Sequence, residues 1–242
     1  MIRNTELFNS FIRNYWKYYI ELEKEFQLVS RYVEFTEDNF STYSVEFLKL
    51  YQAVCSEIDV IGKMMASQIN NSFNPEDKSN SIYKWWYEIQ DSFTYTEEYN
   101  DAVKTDSSIE RKKIQEVECC FLDTYKIAPW KKFRTETYVA KDKSHRFRLK
   151  DKSSIPSWWS DYNKVKHNRT SAVDGDSSKI NYSKANLKNV SYAFTALYVL
   201  EVSFMEAVGT QNDLEAFADF SRLFVKEARI TTEEIDNFFG VF

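Results

Sequence analysis

Residues 156–169 read Pro156-Ser157-Trp158-Trp159-Ser160-Asp161-Tyr162-Asn163-Lys164-Val165-Lys166-His167-Asn168-Arg169. Proline suits the first turn of a helix, where its missing N–H is not needed. On a wheel of about 100° per residue, Trp158, Arg169, Tyr162, Lys166, Trp159, Asn163 and His167 share one half. Ser160, Lys164, Asn168 and Asp161 take the other half. Large aromatics mark the buried side of a helix. Here that side also carries cations, an amide and an imidazole, which are costly to bury unpaired. The pattern predicts one of two things: carboxylates that meet these groups inside the fold, or a cleft in which an anionic ligand meets them.

Outward from this segment the dominant period is helical. Phe8, Phe11, Ile12, Tyr15, Tyr19, Leu22, Phe26, Val29 and Val33 step by threes and fours and predict a first helix over about residues 5–35. Leu48, Tyr51, Cys55, Ile58, Gly62, Met65 and Ile69 form the seam of a second, over about 42–70. The two seams predict an antiparallel pair. Gly62, costly in a helix, is expected where two backbones approach closely. Shorter helices are expected near 78–90 and 108–123. From 132 to 150 the alternation of Phe133, Thr135, Thr137 and Val139, then Phe147 and Leu149, predicts a small β-hairpin. Ser171–Ser178 reads as a loop, followed by a long helix over about 183–208 ended by Gly209. Asp213 is expected to cap a helix over about 213–228, and Thr232 a short final one. The predicted fold is all-α: one domain over 1–242, an elongated helical bundle with a long antiparallel N-terminal helix pair and a hairpin excursion.

Composition narrows the class. Four Gly and three Pro in 242 residues are too few for a loop-rich all-β chain. No apolar run approaches the ~18 residues of a membrane span. Three cysteines, two of them adjacent at Cys119 and Cys120, give neither a disulfide framework nor zinc-ligand spacing. With no signal peptide read at the start, a cytoplasmic setting is expected. The net charge is −5, yet residues 131–169 hold twelve basic and four acidic residues. Such a basic segment attracts phosphate, or pairs with the acidic remainder of the chain.

The run Tyr162-Asn163-Lys164-Val165-Lys166-His167-Asn168-Arg169, preceded by Trp158-Trp159 and followed by a long apolar helix, resembles the Tyr-Asn-x-x-Lys-His-x-Arg signature of bacterial proteins of the HEPN superfamily. The resemblance implies an α-helical bundle and a homodimer that joins two motifs. It also implies RNA or nucleotide as partner, and metal-independent ribonuclease activity in toxin–antitoxin or phage-defence systems. An antitoxin or nucleotidyltransferase is the implied protein partner. Many members of that superfamily carry an arginine separated from the histidine by four to six residues; here those positions hold Ser160, Asp161 and Tyr162.

Site expectations follow from the residues and the resemblance together. His167 suits general acid–base work on a ribose 2′-hydroxyl. Arg169 and Lys166 suit a phosphate and the charge that builds on it. Asn163, one turn before His167, and Tyr162 are expected to contact the ligand. Arg146 and Arg148, flanking Phe147, suit an RNA strand. Asp59 and Glu57 on the second helix are expected to approach Lys166 or Arg169, as structural partners or as support for a site. No Gly-rich loop, zinc spacing or nucleophile–base pair occurs, so neither cofactor nor metal is expected. Three classes stay open: a ribonuclease, a catalytically silent binding module, and a purely structural interaction protein.

Overall fold

The computed structural model describes residues 3–91, 114, 117–122 and 125–226. Three long helices form its body. The first is α1 (Thr5–Phe11), a π turn (Ile12–Trp16) and α2 (Lys17–Val29) in one continuous run. It ends at Val29, short of the expected residue 35. The second, α3 (Val45–Ile69), starts from Ser44, whose hydroxyl accepts the Phe47 N–H. Ser157–Asn168 forms a further helix, discussed below. The third long helix, Leu187–Val208, starts from Asn186, whose side chain accepts the Asn189 N–H. It is the axis of the fold, with 17 of its 22 residues buried.

The helix starts are fastened together. Tyr43 bridges Asn186, and Leu187 N–H donates to Thr42 O at 2.9 Å. α3 and the Leu187–Val208 helix therefore run parallel, side by side. The first helix runs against both. Phe26 stacks on Phe194 (4.7 Å, 5°), Tyr19 meets Tyr198 (6.0 Å) and Phe11 meets Phe204 (4.7 Å). Asn4 N–H reaches Val208 O at 2.7 Å. Phe26 also lies 6.3 Å from Phe47 on α3, while Tyr18 lies near Glu57. Aromatic rings fill these broad contacts, which is why the chain carries so many.

Much of the rest is strand rather than helix, and the expectation of an all-α bundle is overturned. Among the described residues seven short strands form three small antiparallel sheets. β1 (Cys119–Phe121) pairs with β2 (Tyr125–Ile127) and with β7 (Phe224–Lys226). Phe121 and Phe224 from this sheet stack with one another at 5.1 Å and pack on Phe26 and Phe194. β3 (Thr135–Val139) and β4 (His145–Leu149) make the hairpin, which docks on α4 (Ile82–Ile89). There the Gln90 side chain takes the Thr135 N–H and donates back to Thr135 O, both at 2.9 Å. β5 (Ala172–Val173) and β6 (Asp176–Ile180) stand where a loop was expected, turning at Gly175 with φ +83°.

Three boundaries also change. The helix expected near 108–123 gives way to β1 over Cys119–Phe121; most of its other residues lie outside the described ones, as does the helix capped by Thr232. Thr210, not Asp213, is the N-cap of the next helix (Gln211–Glu215); Asp213 completes its capping box. That helix is five residues long, because the chain must extend to reach β1.

Candidate functional site

The helix α5 (Ser157–Asn168) lies against α3 and the start of α6 (Leu187–Val208). The Tyr51 hydroxyl on α3 donates to Trp158 O in its first turn, and the Tyr51 and Tyr162 rings meet edge to face at 5.7 Å. Trp158, Trp159, Tyr162 and Val165 form the buried face. This corrects the wheel reading. Val165 fills the centre of the contact, and the cations of the last turn project past the body of the protein. Lys166, His167 and Arg169 are all exposed, and Arg169 is already the C-cap. Positive charge there complements the negative end of the helix dipole.

The end of α5 is pinned by the segment that follows β6. Asn181 Nδ2 donates to Asn168 O at 2.9 Å, and Tyr182 N–H to Arg169 O at 3.0 Å. Asp161 is tied to the same side. Its Oδ1 accepts Lys184 Nζ at 2.7 Å and its Oδ2 accepts Asn189 Nδ2 at 3.1 Å.

On the opposite side of α5 a cleft of about 360 Å³ opens toward α3 and the start of α4. Trp159, Tyr162, Asn163 and Lys166 form one wall, Cys55, Ser56 and Asp59 a second, and Asn80, Ser81, Ile82 and Tyr83 a third. The Trp159 and Tyr162 rings lie 5.3 Å apart, and Lys166 Nζ sits 5.6 Å above the Tyr162 ring, within cation–π range. Burial, with Cys55 and Asp59 adding, pushes the Tyr162 hydroxyl up to about 12, so it stays a neutral donor at ordinary pH. Burial likewise pushes the Cys55 thiol well up, against the pull of Lys166; it is an inert wall rather than a nucleophile.

The tryptophans separate structure from site. Five of the six donate their indole N–H to the protein: Trp16 to Asp219 O, Trp85 to Asp59, Trp86 to Phe133 O, Trp130 to Ala196 O and Trp158 to Pro129 O. Trp159 alone has no acceptor among the described residues, and it is the one that lines the cleft.

The expected site residues thus divide. Tyr162, Asn163, Lys166 and Asp59 meet in the cleft. Asp59, however, forms no ion pair with Lys166 or Arg169. It accepts Lys63 Nζ at 2.5 Å and the Trp85 N–H at 2.9 Å. Glu57 points elsewhere, toward Tyr18 and Glu201. His167 and Arg169 stand outside the cleft with no side-chain partner among the described residues. Arg146 and Arg148 lie on β4, away from it, and are already paired with Asp142 (2.6 Å) and Glu136 (2.8 Å). Arg148 also lies 5.0 Å over the Tyr138 ring. Sequence reading missed Asn80, Ser81 and Tyr83. Their signal was a cluster of Asn, Ser and Asp residues over 70–81, which marks a turn but not what it faces.

Among the described residues no group of three or more acidic, His or Cys side chains is placed to hold a metal ion. None of their helices is long and apolar enough to cross a membrane. Comparison of the chain with protein-family models, with curated proteins and with solved structures returned no match.

Proposed function

We propose that this protein binds nucleotides or RNA, as the signature over Tyr162–Arg169 implies, and that the nucleotide enters the cleft beside α5. One observation carries the reading. Trp159, with its unspent indole N–H, Tyr162, Asn163 and Lys166 converge on one cavity whose size lies at the lower end of small-ligand sites, about 300–1,000 Å³. Aromatic rings take a base by stacking, and Lys166 reaches its phosphate. The third wall adds to this. α4 starts from Ser81, whose side chain makes no cap hydrogen bond, and the first N–H groups of a helix favour a negative group. The thiols of Cys55, Cys119 and Cys120 fit a reducing, cytoplasmic setting.

Calorimetry with nucleoside monophosphates, triphosphates and a short single-stranded RNA tests the reading. Binding that weakens in Lys166→Gln and Trp159→Phe supports it. Absence of binding to every one of these ligands overturns it and leaves a structural interaction protein.

Ribonuclease activity is a second reading, favoured by the exposed imidazole of His167, which has no side-chain partner among the described residues. Arg169, exposed two residues on, supplies a phosphate-binding cation beside it, and a second copy of the chain would bring a second such pair. RNA cleavage that appears with dimerisation and is lost in His167→Ala supports it. An RNA ligand that is bound and stays intact, with light scattering showing monomer, leaves the silent module.

A further inference from the structure

The positive charge of the sequence gathers on one element, the β3–β4 hairpin and its flanks. Residues 131–152 hold nine Lys or Arg against three Asp or Glu, although the whole chain carries 32 against 37. All nine except Arg134 are exposed. They do not pair with the acidic remainder. Among the described residues the stretch forms two ion pairs, Arg146 with Asp142 and Arg148 with Glu136, and both acids belong to the stretch itself. None of its six lysines is in an ion pair, whereas seven lysines elsewhere are.

The hairpin sorts these charges by face, because side chains alternate along a strand. Thr135 and Phe147 turn to α4, where the Thr135 hydroxyl meets Gln90 Oε1 at 3.4 Å and the Phe147 ring lies 5.4 Å from Tyr87. The other face carries Tyr138 across the ladder from Arg146, and Glu136 across from Arg148. Lys150 follows on that side, its N–H bonded to Arg134 O at 3.0 Å. Arg146, Arg148 and Lys150 thus stand at steps of about 7 Å. Arg148 lies 5.0 Å over the Tyr138 ring, a guanidinium held on an aromatic face. No described element covers this face: the Arg146 and Arg148 side chains are 56% and 59% exposed.

We propose that this outer face of the hairpin binds single-stranded RNA, at a place separate from the cleft beside α5. Phosphates of the strand take Arg146, Arg148 and Lys150, and a base stacks on the Arg148–Tyr138 pair. The two ion pairs are exposed and each contributes little, so a phosphate can replace Asp142 or Glu136. A duplex offers phosphates too, but its bases stay stacked on one another and leave the ring unused. An acidic peptide uses the cations and not the ring. The two places are separable: a mononucleotide fills the cleft and does not need the hairpin.

Fluorescence anisotropy on the full chain tests this with a labelled single-stranded RNA of about a dozen nucleotides, a duplex of equal length and an acidic peptide of equal charge, over a salt series. The wild type is expected to prefer the single strand by about tenfold or more, the worth of a stacked base. The double variant Arg146→Gln, Arg148→Gln should weaken binding about tenfold or more. It should also reduce the slope of log affinity against log salt by about 1.4, at about 0.7 for each lost phosphate contact. Tyr138→Leu should weaken binding severalfold and leave that slope unchanged. If Tyr138→Leu does not fold, the double variant decides, since both arginines are exposed and can be changed without loss of stability. Duplex or acidic peptide bound as tightly as the single strand overturns the proposal. So does binding that falls in Lys166→Gln but not in the double variant, which puts the strand in the cleft and leaves the nucleotide reading standing. Absence of RNA binding at low salt overturns it as well, while mononucleotide binding still decides the cleft.

Discussion

Asp161 Oδ1 holds the Lys184 ammonium at 2.7 Å, and both side chains are about four-fifths buried. The pair ties α5 to the 3₁₀ turn that precedes α6, and Asn189 Nδ2 completes it by reaching Asp161 Oδ2 and Lys184 O. Asp161→Ala should leave that lysine without its acid. The expected loss is about 1–3 kcal/mol, read as a lower denaturation midpoint. Because α5 is one wall of the cleft, ligand affinity should fall with it. An unchanged midpoint would mean that the tie contributes nothing.

Glu201 is fully buried on α6, and neither carboxylate oxygen has a donor among the described residues. Burial, with Glu57 on α3 adding, pushes its carboxyl well above the ordinary range. The unfolded chain therefore sheds this proton first as pH rises from about 4.3. Stability is fully present below that value and is lost as pH climbs toward the raised folded-state pKa. The slope approaches about 1.4 kcal/mol per unit. Glu201→Gln removes the titration, so the gap between wild-type and variant melting curves should widen in the variant's favour from pH 5 to 8. Parallel curves would contradict this.

Gly62 was expected to let two helix backbones touch. Instead the Trp85 ring lies on it. A Cβ there would sit 2.5–2.7 Å from three ring atoms. The indole cannot retreat easily, being fully buried and bonded to Asp59. Gly62→Ala should destabilise by about 1–3 kcal/mol from overpacking, outweighing the gain in helix propensity of up to about 1 kcal/mol. Thermal or urea unfolding checks the sign.

Lys166→Gln should barely move stability, within about 0.5 kcal/mol, since the side chain is exposed and forms no ion pair among the described residues. On the proposed function it should weaken nucleotide or RNA binding and lower the salt dependence by about one charge. A titration series from low to moderate salt measures both.

Much of the body was legible, for a physical reason. Leu48, Tyr51, Cys55, Ile58, Gly62 and Met65 are all buried, as a 3–4 repeat requires. The same logic failed at the end of α5, because a wheel assumes that the helix continues, and here it ends at Asn168 with Arg169 as its C-cap. It failed again at β1. Three residues are too short for an alternating pattern, and one partner strand, β7, lies about a hundred residues away. The Asn80 wall was hidden for a third reason. A turn of Asn74–Asn80 is held by its own local hydrogen bonds, so nothing periodic betrays which element it will face.

The carboxylate of Glu23 shows what this wiring asks of the growing chain. It is buried on α2 and accepts the Tyr19 hydroxyl, the Ser221 hydroxyl and the N–H groups of Arg222 and Leu223. Three of those four donors are made some two hundred residues later. On a ribosome the first helix must wait, its apolar face uncovered and its acid hydrated, until nearly all of the described chain has emerged. Contacts of such long sequence separation make for slow folding and leave the early helix pair open to aggregation or chaperone capture in the interval. Synthesis and protection of this protein are thus coupled by a single side chain near its start.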